Sequence, residues 1–144
     1  MITVDEMMSI KLHTLTESDS LTDAQALMND HGIHHIPVID GTAHLVGLVT
    51  HRDVLSVAES RLSDASLVQN PSEIRISEFM TRDVATIDGR ANLREAALYL
   101  QKHHYGCLPV VQNGRLLGII TDTDFVGIAI DLLEQLEITD PEDF

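Results

Sequence analysis

The chain has 144 residues and a mass of 15.9 kDa; it is 44% hydrophobic and 22% charged, with 23 acidic against 9 basic side chains and a formal net charge of -14. That length and apolar fraction fit one compact domain with a real core, and the negative field repels nucleic-acid backbones and anionic membrane surfaces. No run approaches the roughly 18 apolar residues of a membrane helix, the start lacks the basic and apolar regions of a signal peptide, and Cys107 alone makes no internal disulfide, so a cytoplasmic chain is expected.

Met8-Ser9 leads into a short apolar strand signal at Leu12 to Leu15. Ser20 or Asp19 then caps a helix whose Leu21, Ala24, Leu27 and Met28 recur at helical spacing, ending near Gly32. Ile36 to Ile39 reads as a buried strand with proline near its start, Asp40-Gly41 as a turn, and Leu45 to Val49 as a second strand. Thr50-His51-Arg52-Asp53 opens a second helix through about Leu62. Residues 63–77, polar and containing Asn70-Pro71, read as a linker. The same order then returns: strand Val84 to Ile87, helix Leu93 to His103, strand Leu108 to Val111, turn Asn113-Gly114, strand Leu116 to Ile120 and a helix from Asp122 to about Leu136. The acidic residues 137–144 read as a frayed tail.

This is an internal repeat. A shift of 72 superposes Met8 on Met80, Thr14 on Thr86, His31 on His103 and Pro37 on Pro109; after a one-residue deletion in a turn, a shift of 71 places Gly47 on Gly118, Thr50 on Thr121 and Asp53 on Asp124. Repeat 1 occupies 1–62 and repeat 2 occupies 78–136. One β-α-β-β-α copy of about 60 residues is marginal alone. The expected fold is therefore α/β, two repeats packed with pseudo-twofold symmetry, small sheets flanked by helices, and one cleft at each strand-to-helix turn.

In each copy a strand ends in Thr-x-x-Asp where a helix begins, presenting unpaired amides and the positive end of the helix dipole. Thr50, Thr121 and Thr123 add hydroxyl donors for phosphate, while Asp53 and Asp124 suit a pair of ribose hydroxyls. The plainer alternative is that these residues only cap the second helix. Gly47 and Gly118 either permit close backbone approach or serve strand geometry alone.

Met8-Ser9 and Met80-Thr81 before a short strand, Gly32-Ile33-His34-His35-Ile36-Pro37-Val38, Gly47-Leu48-Val49-Thr50-His51-Arg52-Asp53 and Gly118-Ile119-Ile120-Thr121-Asp122-Thr123-Asp124 resemble the signatures of cystathionine-β-synthase (CBS) domains. Two copies in order resemble a Bateman module, of the small stand-alone kind that includes proteins labelled acetoin-utilisation B. The resemblance implies a non-enzymatic regulatory module binding AMP, ADP, ATP or S-adenosylmethionine between the repeats, without a required cofactor. It also implies a homodimer through helices near 55–62 and 125–136, where Val126, Ile130 and Leu133 form one stripe, and an effector protein as partner.

Carried over from the family, one cleft combines Thr121, Thr123 and Asp124 with Ser9, Lys11, His13 and Ile33. The other combines Thr50, Arg52 and Asp53 with Thr81, Asp83, Ala85 and Tyr105. Ile33 and Tyr105 stand where the family walls adenine; ordinary core packing is the alternative. Arg52, with His34 and His35 where copy two has Gly106 and Cys107, makes the second cleft the candidate for charged phosphates.

Two further readings compete: a ligand-independent interaction or assembly module, and a metal sensor built on His31, His34, His35, His103 and His104. No recognisable zinc spacing supports the latter. No nucleophile has an evident base and orienter, and Cys107 before a buried strand reads as a small hydrophobe, so no catalytic residue is assigned.

Overall fold

The computed structural model describes residues 1–63 and 70–139. Its elements are α1 (Val4–Met7), α2 (Leu21–His31), β1 (His35–Ile39), β2 (Leu45–Thr50), α3 (His51–Ser63), β3 (Ile87–Asp88), α4 (Leu93–His103), β4 (Cys107–Gln112), β5 (Arg115–Thr121) and α5 (Asp122–Thr139), with 3-10 turns at Pro71–Glu73 and Ile76–Glu78. One sheet pairs β1 with β2 and the other has the order β3-β4-β5; helices flank both, as the repeat pattern predicts.

Capping residues set the helix bounds. Ser20, not Asp19, caps α2: its hydroxyl accepts from the Asp23 amide at 3.2 Å while Asp23 accepts from the Ser20 amide at 2.9 Å. Asn92 caps α4, and each helix ends on a left-handed residue, Gly32 (φ 63) and His104 (φ 56). Helix α5 runs to Thr139, past the expected Leu136; the rest of the tail, 140–144, and residues 64–69 of the linker lie outside the described residues.

Both leading strands come out shorter than expected, for a reason visible in β1 and β4. Leu12 to Leu15 contributes a single parallel bridge, Leu15 to Val38, and in repeat 2 the strand is Ile87–Asp88 rather than Val84 to Ile87. In register, the next ladder donors toward the chain start would be the amides of Pro37 and Pro109, and proline has none. Segments 10–14 and 82–86 are thereby released from the sheets. The hairpin turns differ too. Asn113 (φ 53) and Gly114 (φ 79) form the tight turn expected of Asn-Gly, whereas in repeat 1 the left-handed residue is Ala43 (φ 66) and not Gly41.

The two hydrophobic clusters exchange segments. Leu21, Ala24, Met28, Ile36, Val38 and Val49 of repeat 1 pack with Ile74 and Ile76 from the stretch between the repeats and Met80 from the start of repeat 2. Leu93, Ala96, Leu100, Leu108, Val110 and Ile120 of repeat 2 pack with Val4 and the half-buried Met8 from the chain start. Within the stretch read as a linker, Ile74 and Ile76 are 1% and 0% exposed. Each copy completes its core with the segment that leads the other copy, so the halves share one folding unit.

Candidate functional site: two clefts between the repeats

The exchange reaches the sheet edges. Ser9 and Ile119 trade backbone hydrogen bonds of 2.9 and 3.0 Å, and Thr81 and Leu48 do the same at 2.9 Å each, so the segment leading each repeat lies along the last strand of the other. Gly118 and Gly47 face these crossings. A Cβ on Gly118 would lie 2.8 Å from the Ser9 carbonyl oxygen, and one on Gly47 would lie 3.0 Å from that of Thr81. Of the two readings of these glycines, close backbone approach is what the structure contains.

Where a leading segment passes the opposite strand-to-helix turn, a cavity opens. The first has a volume of about 410 Å³ and is lined by Ser9, Lys11, His13, Ile33, Thr121, Thr123 and Asp124, together with His34 and His35. The second, of about 470 Å³, is lined by Thr50, Arg52, Thr81, Asp83, Ala85 and Tyr105, again with His34 and His35. Both volumes lie within the range of small-ligand sites. The side chains grouped by family pattern thus come together, except that Asp53 does not line the second cavity.

The carboxylates of both Thr-x-x-Asp turns cap their helices. The Thr50 amide donates to Asp53 Oδ2 at 2.9 Å and the Asp53 amide to Thr50 Oγ1 at 3.1 Å; Thr121 and Asp124 repeat this at 2.9 and 3.2 Å. Asp53 Oδ2 also accepts from Thr81 Oγ1 at 3.4 Å, tying the leading segment of repeat 2 to the turn of repeat 1. All the bonds found for these carboxylates among the described residues fall on Oδ2, which leaves Oδ1 of each for another donor.

The residues inside the Thr-x-x-Asp turns make the clefts chemically unlike. His51 and Asp122 occupy matched places as first residues of α3 and α5, and their amides make matched bonds to the carbonyls of His34 (2.9 Å) and Gly106 (3.0 Å). Asp122 Oδ1 accepts from the Thr123 amide at 2.8 Å, so a carboxylate already sits on a helix-start donor of the Thr121 cleft. His51 brings no carboxylate to Arg52, and His51 and His104 both line that cleft. His51 and Asp122 were not singled out from the sequence, and His104 only within the histidine cluster weighed for a metal, although the repeat shift that pairs Thr50 with Thr121 also pairs His51 with Asp122.

His34, His35 and Asp122 belong to the walls of both cavities. Burial pushes the His35 imidazole below its ordinary 6.5, with Asp122 opposing and His34 adding to the shift. Burial and the Asp122 charge push the Cys107 thiol up to about 12, so it stays protonated and behaves as a small hydrophobe rather than a nucleophile. Among the described residues no three His, Cys, Asp or Glu side chains are grouped to hold a metal ion.

His35 makes stability depend on pH in a defined direction. The unfolded chain takes up this proton at a higher pH than the folded one, so the stability it contributes is present above 6.5 and is lost as pH falls below that value. Melting temperature is expected to drop between about pH 7 and pH 5.5, and to drop less in His35→Gln. An equal drop in both proteins would remove His35 from the account.

Comparison with known proteins finds two copies of one family domain. The CBS-domain family model matches residues 4–60 and 76–131. A putative acetoin utilisation protein (AcuB) from Vibrio cholerae has a structure with a TM-score of 0.86 at 44% identity, covering 95% of this chain and 98% of that one. CBSX2, a CBS-pair protein of Arabidopsis thaliana, was solved in complex with AMP and matches at TM-score 0.79 and 30% identity, covering 92% and 98%. The CBS pair of protein MJ0100, solved with 5'-methylthioadenosine and S-adenosyl-L-methionine, matches at 0.75 and 25%, covering 89% and 99%. In enzymes the likeness is confined to a side domain: the chain is 33% identical to 23% of the length of a homoserine O-acetyltransferase from Methanocorpusculum labreanum. With both copies matched and the order of elements reproduced, the chain belongs to the CBS-domain family as a tandem pair.

Proposed function

We propose that this CBS pair is a non-enzymatic regulatory module that binds AMP, or ADP or ATP, in the cleft lined by Arg52. The observation that carries the reading is the unlike chemistry of the two helix starts, since each cavity wall as a whole has one cation and two carboxylates, Lys11 with Asp122 and Asp124 in the first and Arg52 with Asp83 and Asp122 in the second. The α3 start carries His51 and Arg52, both lining the second cavity, whereas at the α5 start the Asp122 carboxylate already accepts from the Thr123 amide. At the α3 start a phosphate gains the Arg52 guanidinium as a charge-assisted donor, and at the α5 start it meets an amide that a carboxylate already occupies. The Thr121 cleft therefore suits an adenosyl ligand without phosphate, of which S-adenosylmethionine is the candidate. The AMP complex of CBSX2 and the adenosyl complexes of MJ0100 support this class of ligand. In the first cleft the ribose would pair with Oδ1 of Asp124, which lines that cavity, whereas Asp53 stands outside the lining of the second.

Signalling in this reading is a shift in the arrangement of the repeats or of two modules, driven by the ligand's different affinity for the two arrangements. Helix α5 supplies the surface: Val126, Ile130 and Leu133 are 58%, 50% and 58% exposed, and Leu55 of α3 is 49% exposed. We assign these faces to a homodimer that passes the change to an effector protein. No helix among the described residues is long and apolar enough to cross a membrane, and we place the module in the cytoplasm.

Calorimetric titration of the purified chain with AMP, ADP, ATP, S-adenosylmethionine and 5'-methylthioadenosine tests the reading. Saturable binding of at least one is expected. A folded protein that binds none of them overturns it and leaves the assembly role of α5 as the function.

A further inference from the structure

The last residues of α2 and α4 are histidines at repeat-matched places, His31 and His103. Each lies against a ring that lines a cleft. The His31 ring is stacked on His13, centroids 3.8 Å apart and planes 21° apart. The His103 ring stands 5.4 Å from Tyr105 at 16°, and Tyr99 closes the group at 4.5 Å from His103 and 5.9 Å from Tyr105. The supported rings themselves are not matched. A shift of 72 carries His13 onto Ala85 and Ile33 onto Tyr105, so at these two matched places each cleft has one ring and one aliphatic side chain, in exchanged order. What the two clefts have in common is the histidine behind the ring.

Tyr105 needs such support. It follows the left-handed His104, its amide donates to the Leu100 carbonyl at 3.2 Å, and its side chain is 40% exposed at the cavity wall. The backbone fixes where the side chain starts but leaves the ring free to turn toward solvent, and ordering it on ligand binding would cost conformational entropy. A ring held in advance offers a stacking face without that cost. We infer that His103 is a positioning residue that holds Tyr105 as the stacking wall for the purine in the Arg52 cleft, with His31 holding His13 correspondingly in the other. The inference rests on the adenosyl reading above and deepens it.

The composition supplies a selective probe. The chain has no tryptophan and two tyrosines, and both tyrosines stand in this cluster, so tyrosine ring signals in NMR spectra report this cleft. The full chain is titrated with AMP and with ribose 5-phosphate, which keeps sugar and phosphate but lacks the base. His103→Ala is expected to weaken AMP about three- to tenfold, part of what losing a base stack costs, and to leave ribose 5-phosphate unchanged. His103→Phe, which restores a flat ring, is expected to bind AMP as the wild type does. A role limited to finishing α4 would move the melting temperature and not the ratio of the two affinities. Unchanged AMP binding in His103→Ala, equal losses for both ligands, or failure of His103→Phe to rescue overturns the positioning role while the ligand class stands. Wild-type protein that binds no adenosyl compound overturns both.

Discussion

Gly118→Ala lowers the unfolding free energy by about 2–4 kcal/mol and loosens the Thr121 cleft. The added Cβ would stand 2.6 Å from Met8 Sδ and 2.8 Å from the Ser9 carbonyl oxygen. Met8 can swing its thioether aside; the Ser9 carbonyl can move only with the backbone pairing between Ser9 and Ile119. Overpacking costs about 1–3 kcal/mol, and each exchanged backbone bond contributes about 0.5–1.5 kcal/mol. Because Ser9, Lys11 and His13 follow in the same segment, the first cavity loses a wall. Gly47→Ala repeats the conflict against Thr81 and Met80 for the second cavity. Gly41→Ala is the control, since nothing lies within 4 Å of its Cβ position and its φ is not left-handed. Urea unfolding gives the values, and losses under about 0.5 kcal/mol in both Gly118→Ala and Gly47→Ala would show that the crossings yield easily.

These glycines illustrate how much of the molecule was legible beforehand. Their place before each threonine is visible in the repeat, but the reason for them lies in a segment 34 residues away in one case and 109 in the other, and spacing does not report such crossings. The helices and hairpins were readable because capping residues and apolar periods act locally: Ser20, Asn92 and Asn113-Gly114 stand where their chemistry is used. The leading strands were overextended because apolar alternation signals a strand without saying whether its neighbour has donors, and Pro37 and Pro109 withhold them. The polar look of residues 63–77 hid Ile74 and Ile76, two apolar side chains that the repeat 1 cluster buries. At the clefts, like residues at matched places were easy to see. His51 and Asp122, unlike residues at matched places, passed as variation, although they are where the two helix starts come to differ, a carboxylate occupying an amide at α5 and not at α3.

That difference has a direct consequence for binding. Arg52→Ala is expected to weaken AMP at the Arg52 cleft about tenfold or more, while adenosine binds as before. A hydrogen bond to a charged group contributes about 1.5–3 kcal/mol, and because Arg52 is solvent-exposed the lower end applies. The chain as a whole repels the ligand, carrying a net charge of -14, so the attraction has to come from groups within a few ångströms of the phosphate. Wild-type affinity should therefore fall with added salt more steeply than that of the variant. Asp122→Asn acts in the opposite sense: it removes a carboxylate from the wall of both cavities while keeping an oxygen for the Thr123 amide, and AMP affinity should rise. Calorimetry with AMP and adenosine, with tyrosine ring signals locating the occupied cleft, separates the contributions. Equal losses for AMP and adenosine in Arg52→Ala would mean that the guanidinium packs against the nucleoside, and the preference for phosphate would then have to come from His51, His104 and the α3 amides alone.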